Sequence, residues 1–180
     1  MKRYLVIGNP INHSLSPELH NYWIKQNGLD ALYEKKELSD NGLENLILDI
    51  KKTSINGVNV TIPYKNSVIP YLDELSEQAK ITQAVNTIYL KDKKVIGHNT
   101  DIEGFENAIK NINFNFNNKK IFILGAGGVV PSIIYSSIKM GSSEILISNR
   151  TKERAEKIKS IFKNVKLINW GEIPNFDVII

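Results

Sequence analysis

Residues 120–134 read KIFILGAGGVVPSII, an apolar run that meets a glycine-rich turn and then continues into a second apolar segment. Its first five residues have the length of a buried strand, and the glycines let the chain turn sharply into a helix. Gly125 permits the tight turn, Gly127 lets the backbone approach a ligand, and the N–H groups after Gly128 suit an anion. The stretch predicts a Rossmann-type site for a dinucleotide pyrophosphate, and a turn without a ligand is the alternative.

The next strand-like run, EILISNR at 144–150, bears on which dinucleotide would bind. A carboxylate at the end of this strand would bind the ribose of NAD, but the sequence has Asn149, Arg150, Thr151 and, one helical turn later, Arg154. A guanidinium offers paired donors and a fixed charge to a phosphate. The segment therefore favours NADP, and the alternative is that both arginines are solvated residues of a helix start.

Strand-like and helix-like segments alternate along the whole chain, which predicts an α/β fold. We expect an N-terminal α/β substrate domain with a mostly parallel sheet, residues 1–112, followed by a partial Rossmann-type NADP-binding domain, residues 113–180. Helices are predicted at about 17–26, 41–51, 102–111, 152–162 and after the glycine turn as far as 140. The asparagine-rich stretch 111–120 is interpreted as a linker. The final residues DVII resemble a strand cut off at the chain end, so we expect a fragment or an unusually short chain.

Composition narrows the classes of function. The chain has 180 residues, 42% of them hydrophobic, and no cysteine, which excludes disulfides and thiolate chemistry and favours a cytoplasmic protein. The formal charge is +4, but lysines are interspersed with acidic residues, so nucleic acid is not expected as a partner. No apolar run approaches the roughly 20 residues of a membrane span, and no cluster of metal ligands is visible.

The loop GNPINHSLSPELHN at 8–21 places two hydroxyls, Ser14 and Ser16, directly after the first predicted strand. Loops at this end of parallel strands bind ligands in open α/β sheets, and two hydroxyls could donate to a carboxylate without adding a charge. The alternative for Ser16 is a helix cap ahead of Pro17. His13 and His20 are interpreted as structural, since neither a nucleophile nor a metal-ligand spacing accompanies them.

The stretch GVNVTIPYK at 57–65 alternates apolar and small polar residues. If Val58, Val60 and Ile62 face the core, then Asn59 and Thr61 share the opposite face of the sheet, and Lys65 follows at the strand end. An uncharged polar face that ends in a lysine predicts a site for a polar ligand.

Two further polar positions precede predicted elements, Asn86 in QAVNTIYL and Asp101 in VIGHNTDIEGF. Asp101 is either a helix N-cap or a ligand contact and the charge partner of Lys65. Reduction of a ketone needs a proton for the developing alkoxide, and a partly desolvated lysine can supply it. Lys65 is therefore a candidate general acid.

These motifs, GNPINHSLSPELHN, NVTIPYK, AVNT, GHNTDIEGF, GAGG and SNRT, resemble in order and spacing those of the shikimate dehydrogenases, over about residues 8–180. The resemblance implies a two-domain enzyme that uses NADP to interconvert 3-dehydroshikimate and shikimate. It implies that Ser14 and Ser16 hold the substrate carboxylate, and that Lys65 is catalytic with Asp101 as its partner. It further implies ring-hydroxyl contacts from Asn59, Thr61, Asn86 and Asp101. The implied NADP contacts are Gly125, Ala126, Gly127, Gly128, Val129, Asn149, Arg150, Thr151 and Arg154.

Other interpretations stay open at this point. A quinate/shikimate dehydrogenase that uses NAD is a near alternative, although Arg150 argues against it. A methylenetetrahydrofolate dehydrogenase has a related architecture, but the paired serines fit it poorly. The chain could also be a binding module without turnover, since the family continues beyond the segments seen here. The expected partner is a small-molecule substrate, and the expected assembly is a monomer or a homodimer.

Overall fold

The computed structural model describes residues 1–39 and 42–180 of the chain. These residues form two compact units, one of residues 1–80 and 84–99, the other of residues 81–83 and 100–180. Among the described residues, no helix has both the length and the apolar character that crossing a bilayer requires.

The first unit is built on a six-stranded sheet. Its strands are β1 (Lys2–Gly8), β2 (Ala31–Glu37), β3 (Gly57–Val60), β4 (Glu74–Leu75), β5 (Thr87–Lys91) and β6 (Lys94–His98). Its helices are α1 (Ser16–Gln26), α2 (Gly42–Lys51), α3 (Tyr64–Ser67), a 3-10 turn (Ile69–Tyr71) and α4 (Glu77–Thr82), whose last turn falls in the second unit. The strand order is β2-β1-β3-β5-β6-β4; β5 runs antiparallel to both of its neighbours, and the other pairs of described strands are parallel.

The two faces of this sheet bury different residues because alternate side chains of a strand point to opposite sides. Leu5 and Ile7 of β1 and Val58 of β3 belong to the larger core, which also holds Leu46 and Ile50 of α2. A smaller cluster of Val6, Ile11 and Tyr33 lies apart from it, with Ile24 of α1 packed against it. The smaller cluster includes residues of β1 and β2, and β1 is also the strand that pairs with β3, which carries Asn59.

The second unit contains a fully parallel four-stranded sheet. Its elements are α5 (Asp101–Asn111), β7 (Lys120–Leu124), α6 (Val130–Lys139), β8 (Glu144–Ser148), α7 (Lys152–Ile161), β9 (Lys166–Leu167) and β10 (Val178–Ile179). The strand order is β10-β7-β8-β9. The central strands are near-continuous apolar runs, as strands covered on both faces usually are. Ile121, Ile123 and Ile147 pack in one core with Ile134 of α6 and Ile158 of α7.

The α/β class and the mostly parallel sheet of the sequence prediction are confirmed. Predicted helix bounds agree with α1, α5, α6 and α7 within one residue. The prediction for 41–51 corresponds to α2, and its first residue, Asn41, lies outside the described residues. The asparagine-rich stretch after α5 has no regular structure, yet its Phe116 is buried and meets Phe105 edge to face at 6.0 Å between ring centroids.

The compact units divide between residues 99 and 100, whereas the sequence places a domain boundary after residue 112. Helix α5 accounts for the difference, because its side chains pack in the core of the second unit and against α6. The Ser136 hydroxyl on α6 donates to the carbonyl of Ile102 on α5 at 3.3 Å. The boundary between the functional domains stays a prediction.

Candidate functional site

A cluster of hydrogen-bonded polar side chains lies across the middle strands of the first unit. Asn59 of β3 is paired in register with Thr87 of β5, next to Asn86. The Asn59 Nδ2 donates to the carbonyl of Asn86 at 3.4 Å and to Oγ1 of Thr87 at 3.3 Å. The Thr87 hydroxyl donates to Oδ1 of Asn86 at 3.0 Å, and the Tyr33 hydroxyl donates to Oδ1 of Asn59 at 2.7 Å. The structure therefore brings two of the predicted site residues, Asn59 and Asn86, together.

Thr61 and Lys65 follow directly after β3. The N–H of Thr61 donates to the Ile7 carbonyl at 2.9 Å, and its own carbonyl accepts from Tyr64 at 2.9 Å, which starts α3. Lys65 is half-buried in α3, and its carbonyl accepts from Val85 at 2.8 Å. These backbone bonds hold the lysine one turn beyond the polar strand.

The predicted burial of Ile62 is wrong, because this residue is 63% exposed while Val58 and Val60 are buried. The physical reason is that β3 ends at Val60, so the alternation of faces no longer applies two residues later.

Ser14 lies in the loop between β1 and α1, Ser16 begins α1, and both are half-buried. Ser16 is the first residue of α1 and does not act as its N-cap, so the capping alternative is wrong. Instead the Ser14 hydroxyl accepts the N–H of Ser16 at 3.3 Å. Pro17 stands in the first turn, as predicted. The two serines therefore lie where the loop after β1 meets α1, and their contact with a ligand stays a prediction.

His20 makes an aromatic contact, and its interpretation as a structural residue stays a prediction. Its ring stacks on Tyr33 with 4.1 Å between centroids and an interplanar angle of 4°. Partial burial lowers the pKa of His20. Burial also raises the pKa of Tyr33 to about 12, so its phenol stays protonated at neutral pH. His13 is exposed.

Asp101 lies in the second unit as the first residue of α5, and Thr100 occupies the N-cap position. The N-cap alternative for Asp101 is therefore wrong. Its pairing with Lys65 stays a prediction.

The glycine turn of the second unit has the features of an anion site. Gly125 has φ +125°, in the region that favours glycine, and its N–H donates to the Ser148 carbonyl at 2.8 Å. A Cβ added at Gly127 would meet nothing within 4 Å, so the space over this residue is open. Among the described residues, the N–H groups of Ala126, Gly127 and Val129 have no acceptor. Unpaired donors ahead of a helix fit a pyrophosphate.

The basic segment after β8 lies beside this turn in the sheet. Asn149 Nδ2 donates to the Thr151 carbonyl at 2.7 Å, and Thr151 is the N-cap of α7. Arg150 and Arg154 are exposed, and across residues 1–39 and 42–180 neither forms an ion pair. Two guanidinium groups without protein carboxylates suit a phosphate monoester. The observed turn and segment fit a dinucleotide that carries an additional phosphate on its ribose.

Each unit has an open cavity. In the first unit a cavity of about 690 Å³ reaches the polar cluster, and six of its lining residues are Tyr4, His20, Ile24, Ala31, Tyr33 and Asn59. In the second unit a cavity of about 410 Å³ is mainly apolar, and it is lined by Phe122, Leu124, Trp170, Ile173 and Phe176 among others. Within the described part of the chain, no three His, Asp or Glu side chains are grouped as metal ligands would be.

Sequence reasoning missed two members of the polar cluster, Tyr33 and Thr87. Tyr33 lies in β2, and β1 separates it from Asn59, so only the strand order brings the two side chains within reach. Thr87 could have been found from two facts: it follows Asn86 in the sequence, and it pairs with Asn59 on the neighbouring strand. The second fact becomes visible only once the register is known.

The fold and these features define a class: α/β proteins that join a polar ligand-binding unit to a Rossmann-type nucleotide-binding sheet. Residues 6–88 match the family model described as the shikimate dehydrogenase substrate binding domain. Residues 106–180 match the model described as shikimate / quinate 5-dehydrogenase. The chain belongs to the shikimate dehydrogenase family.

Individual relatives agree with this assignment. The chain is 53% identical over 179 residues to the shikimate dehydrogenase (NADP(+)) of Pelagibacter ubique, covering 99% of this chain and 68% of the relative. A shikimate dehydrogenase structure from Peptoclostridium difficile superposes with a TM-score of 0.89 at 32% identity, covering 99% of this chain and 66% of the other. A shikimate 5-dehydrogenase of Thermus thermophilus in complex with NADP(H) and shikimate gives a TM-score of 0.82 at 30% identity, covering 93% and 63%. The chain thus spans about two thirds of the length of these proteins.

Proposed function

We propose that the chain carries the substrate site and part of the NADP site of an enzyme that reversibly reduces 3-dehydroshikimate to shikimate. The observation that carries the proposal is the hydrogen-bonded pair Asn59 and Asn86, with Lys65 in the helix after the strand of Asn59, in a chain 53% identical to a shikimate dehydrogenase (NADP(+)). Amides and hydroxyls recognise ring hydroxyls without adding charge. Thr61 and Asp101 are proposed as further ring contacts, and Ser14 and Ser16 as donors to the substrate carboxylate.

NADP is the proposed cofactor because the second unit fits its phosphates. The unpaired N–H groups of Ala126, Gly127 and Val129 would bind the pyrophosphate, together with Gly125 and Gly128 in the same turn. Asn149, Arg150, Thr151 and Arg154 would surround the ribose phosphate. When bound as NADPH, the cofactor supplies a hydride to the carbon of the substrate ketone.

The chain's own contribution to the reaction is orientation and a proton. The ketone oxygen gains a negative charge as its carbon is reduced, and we assign Lys65 as the group that donates the proton to this oxygen. In the reverse direction the lysine accepts the hydroxyl proton from shikimate. Asp101 is proposed to hold the ammonium in place, and the amide and hydroxyl groups fix the ring against rotation.

The test is calorimetry with shikimate and with NADP, paired with an assay of nicotinamide absorbance. Binding of both ligands and turnover would support the enzyme. Binding without turnover would favour a ligand-binding module, and absence of shikimate binding would contradict the proposal. The family description also names quinate, so quinate is the second candidate substrate and belongs in the same titration. Replacing NADP by NAD tests the role assigned to Arg150 and Arg154.

We propose a cytoplasmic protein that acts on a small molecule as a monomer or a homodimer, with its functional domains meeting near residues 112 and 113. Light scattering would measure the assembly. Limited proteolysis would show whether cleavage falls near residue 100, where the compact units divide, or near residue 112.

A further inference from the structure

The hydrogen bonds that Asn59 makes in the polar cluster of the first unit have only one consistent direction. A backbone carbonyl can only accept, so the Asn59 atom that faces the Asn86 carbonyl at 3.4 Å must be Nδ2. The other side-chain atom of Asn59 is then Oδ1, which also can only accept. The Tyr33 hydroxyl, 2.7 Å away, is therefore the donor to Asn59.

The direction continues to Asn86. The Asn59 Nδ2 also approaches Oγ1 of Thr87, at 3.3 Å, where the hydroxyl oxygen accepts. A threonine hydroxyl has one proton, which Thr87 donates to Oδ1 of Asn86 at 3.0 Å. The Oδ1 end of the Asn86 amide is held against Thr87, and the Nδ2 end is thereby oriented as the donor end. One chain of hydrogen bonds connects Tyr33 to the amide of Asn86.

The position of the Tyr33 side chain is fixed by burial, by ring stacking and by hydrogen bonds to its backbone. The residue is 5% exposed, and its ring stacks on His20. The side-chain amide of Asn21 binds both backbone polar groups of Tyr33. Asn21 Nδ2 donates to the Tyr33 carbonyl at 2.8 Å, and Asn21 Oδ1 accepts the Tyr33 N–H at 2.9 Å. Burial raises the pKa of the phenol to about 12, so it stays a donor over the whole range in which the protein would work. The hydroxyl has a fixed position and a fixed role.

We propose that Tyr33 is a positioning residue, which stabilises the orientation of the Asn59 and Asn86 amides through a chain of hydrogen bonds and thereby sharpens recognition of the substrate ring hydroxyls. The effect on substrate recognition rests on the proposed function. Without the Tyr33 hydroxyl, Oδ1 of Asn59 loses its donor, and the preference of the amide for one orientation falls. In this role Tyr33 acts through Asn59 and Thr87, and the role needs no contact between Tyr33 and the substrate.

The test is Tyr33→Phe in the 180-residue chain, which removes the hydroxyl and keeps the ring that stacks on His20. The first readout is the side-chain amide resonances of Asn59 and Asn86 without any ligand. We expect both to shift and their hydrogens to exchange faster with water. The second readout is calorimetry with shikimate, where one lost hydrogen bond predicts affinity lower by roughly 5- to 10-fold.

Two further variants separate positioning from stability. Thr87→Val interrupts the chain at its middle, so it should shift the Asn86 resonances and weaken shikimate binding as Tyr33→Phe does. Because both variants break one chain, the double variant should bind no worse than the weaker single variant. Tyr64→Phe is the matched control, since the Tyr64 hydroxyl donates to the Leu38 carbonyl at 3.1 Å in the same unit. It should lower stability similarly and leave the Asn59 and Asn86 resonances in place.

Each of the following outcomes tests one part of the proposal. Unchanged Asn86 resonances in Tyr33→Phe, with or without a shift at Asn59, would overturn the chain of hydrogen bonds. Shifted resonances with unchanged shikimate affinity would overturn its role in recognition. If the unaltered chain fails to bind shikimate, the proposed function is contradicted. The amide resonances, which are measured without a ligand, still test whether Tyr33 affects the orientation of the two amides. If Tyr33→Phe does not fold, 3-fluorotyrosine at position 33 keeps the ring and makes the hydroxyl a stronger donor, so it should shift the Asn59 and Asn86 resonances, and unchanged resonances would overturn the proposal.

Discussion

Lys139 Nζ lies 3.0 Å from each carboxylate oxygen of Glu106, and this one ammonium joins α6 to α5. The glutamate side chain is only 8% exposed, whereas the lysine is 57% exposed. The hydrogen bond to Glu106 raises the pKa of Lys139 above its ordinary value. The pair thus holds the helix that begins at Asp101 against the helix that follows the glycine turn.

Removing only the lysine of this pair should cost more stability than removing both charges. Lys139→Met leaves a buried carboxylate without its partner, whereas Lys139→Met combined with Glu106→Gln leaves a neutral amide. We expect urea denaturation at pH 7 to rank the single variant below the double variant. The raised pKa adds a pH dependence: the contribution is fully present below pH 10.5, and it is lost as the pH rises through the higher folded value. Equal stability of the two variants would contradict this account of the pair.

Lys65→Ala should lower the rate of shikimate oxidation by about 10²- to 10⁴-fold, because a positioned general acid or base contributes that much. The affinity for shikimate, measured by calorimetry, should change much less. Lys52→Ala is the control, since Lys52 is an exposed lysine of the same unit just after α2. Turnover that stays within a few-fold of the unaltered protein would remove Lys65 from the mechanism.

Arg150→Gln and Arg154→Gln should each weaken NADP binding by roughly 10-fold or more, the effect of losing a charge-assisted hydrogen bond. Binding of NAD should hardly change, because NAD lacks the ribose phosphate. Fluorescence or calorimetric titration with both dinucleotides measures the ratio. Lys157→Gln removes an exposed positive charge from α7, the helix that contains Arg154, and it controls for the general electrostatic attraction between the protein and the dinucleotide. An equal loss for NADP and NAD would argue against a phosphate contact.

Asp73 should give the first unit a measurable acid sensitivity. Its carboxylate accepts from the N–H of Val95 at 2.8 Å and from Lys51 Nζ at 2.9 Å. These hydrogen bonds, the one from Val95 foremost, lower the pKa of Asp73 below 3.8. Its stabilising contribution is therefore present above pH 3.8 and is lost as the pH falls through the folded value.

Asp73→Asn should lower the free energy of unfolding at pH 7 by about 1 kcal/mol, since the side chain is partly exposed. It should also flatten the decline in stability between about pH 5 and pH 2, as followed by urea denaturation at each pH. Asp92→Asn, in the exposed turn between β5 and β6, keeps the same chemistry in a site without these bonds and should leave the decline intact. An unchanged decline in Asp73→Asn would show that other carboxylates cause it.

Patterns that depend on neighbours in the chain were sufficient for most of the fold. The middle of the apolar run, Ile121 to Ile123, is buried, and α6 begins within two residues of its proline, as local rules require. Ile62 shows the limit of such rules, because alternation predicts a buried side chain only while the strand continues. Tyr33 shows another limit, since its bond to Asn59 depends on strand order and register, which a single sequence does not specify.

The two hydrogen bonds between Asn21 and the backbone of Tyr33 also affect how one molecule meets another. β2 is an edge strand, and edge strands offer unpaired N–H and C=O groups to strands of other molecules. The Asn21 amide occupies one such donor and one such acceptor in the middle of the strand. The contact that fixes Tyr33 therefore also hinders the pairing of β2 with a strand of another molecule. Loss of the Asn21 amide would favour aggregation through this edge.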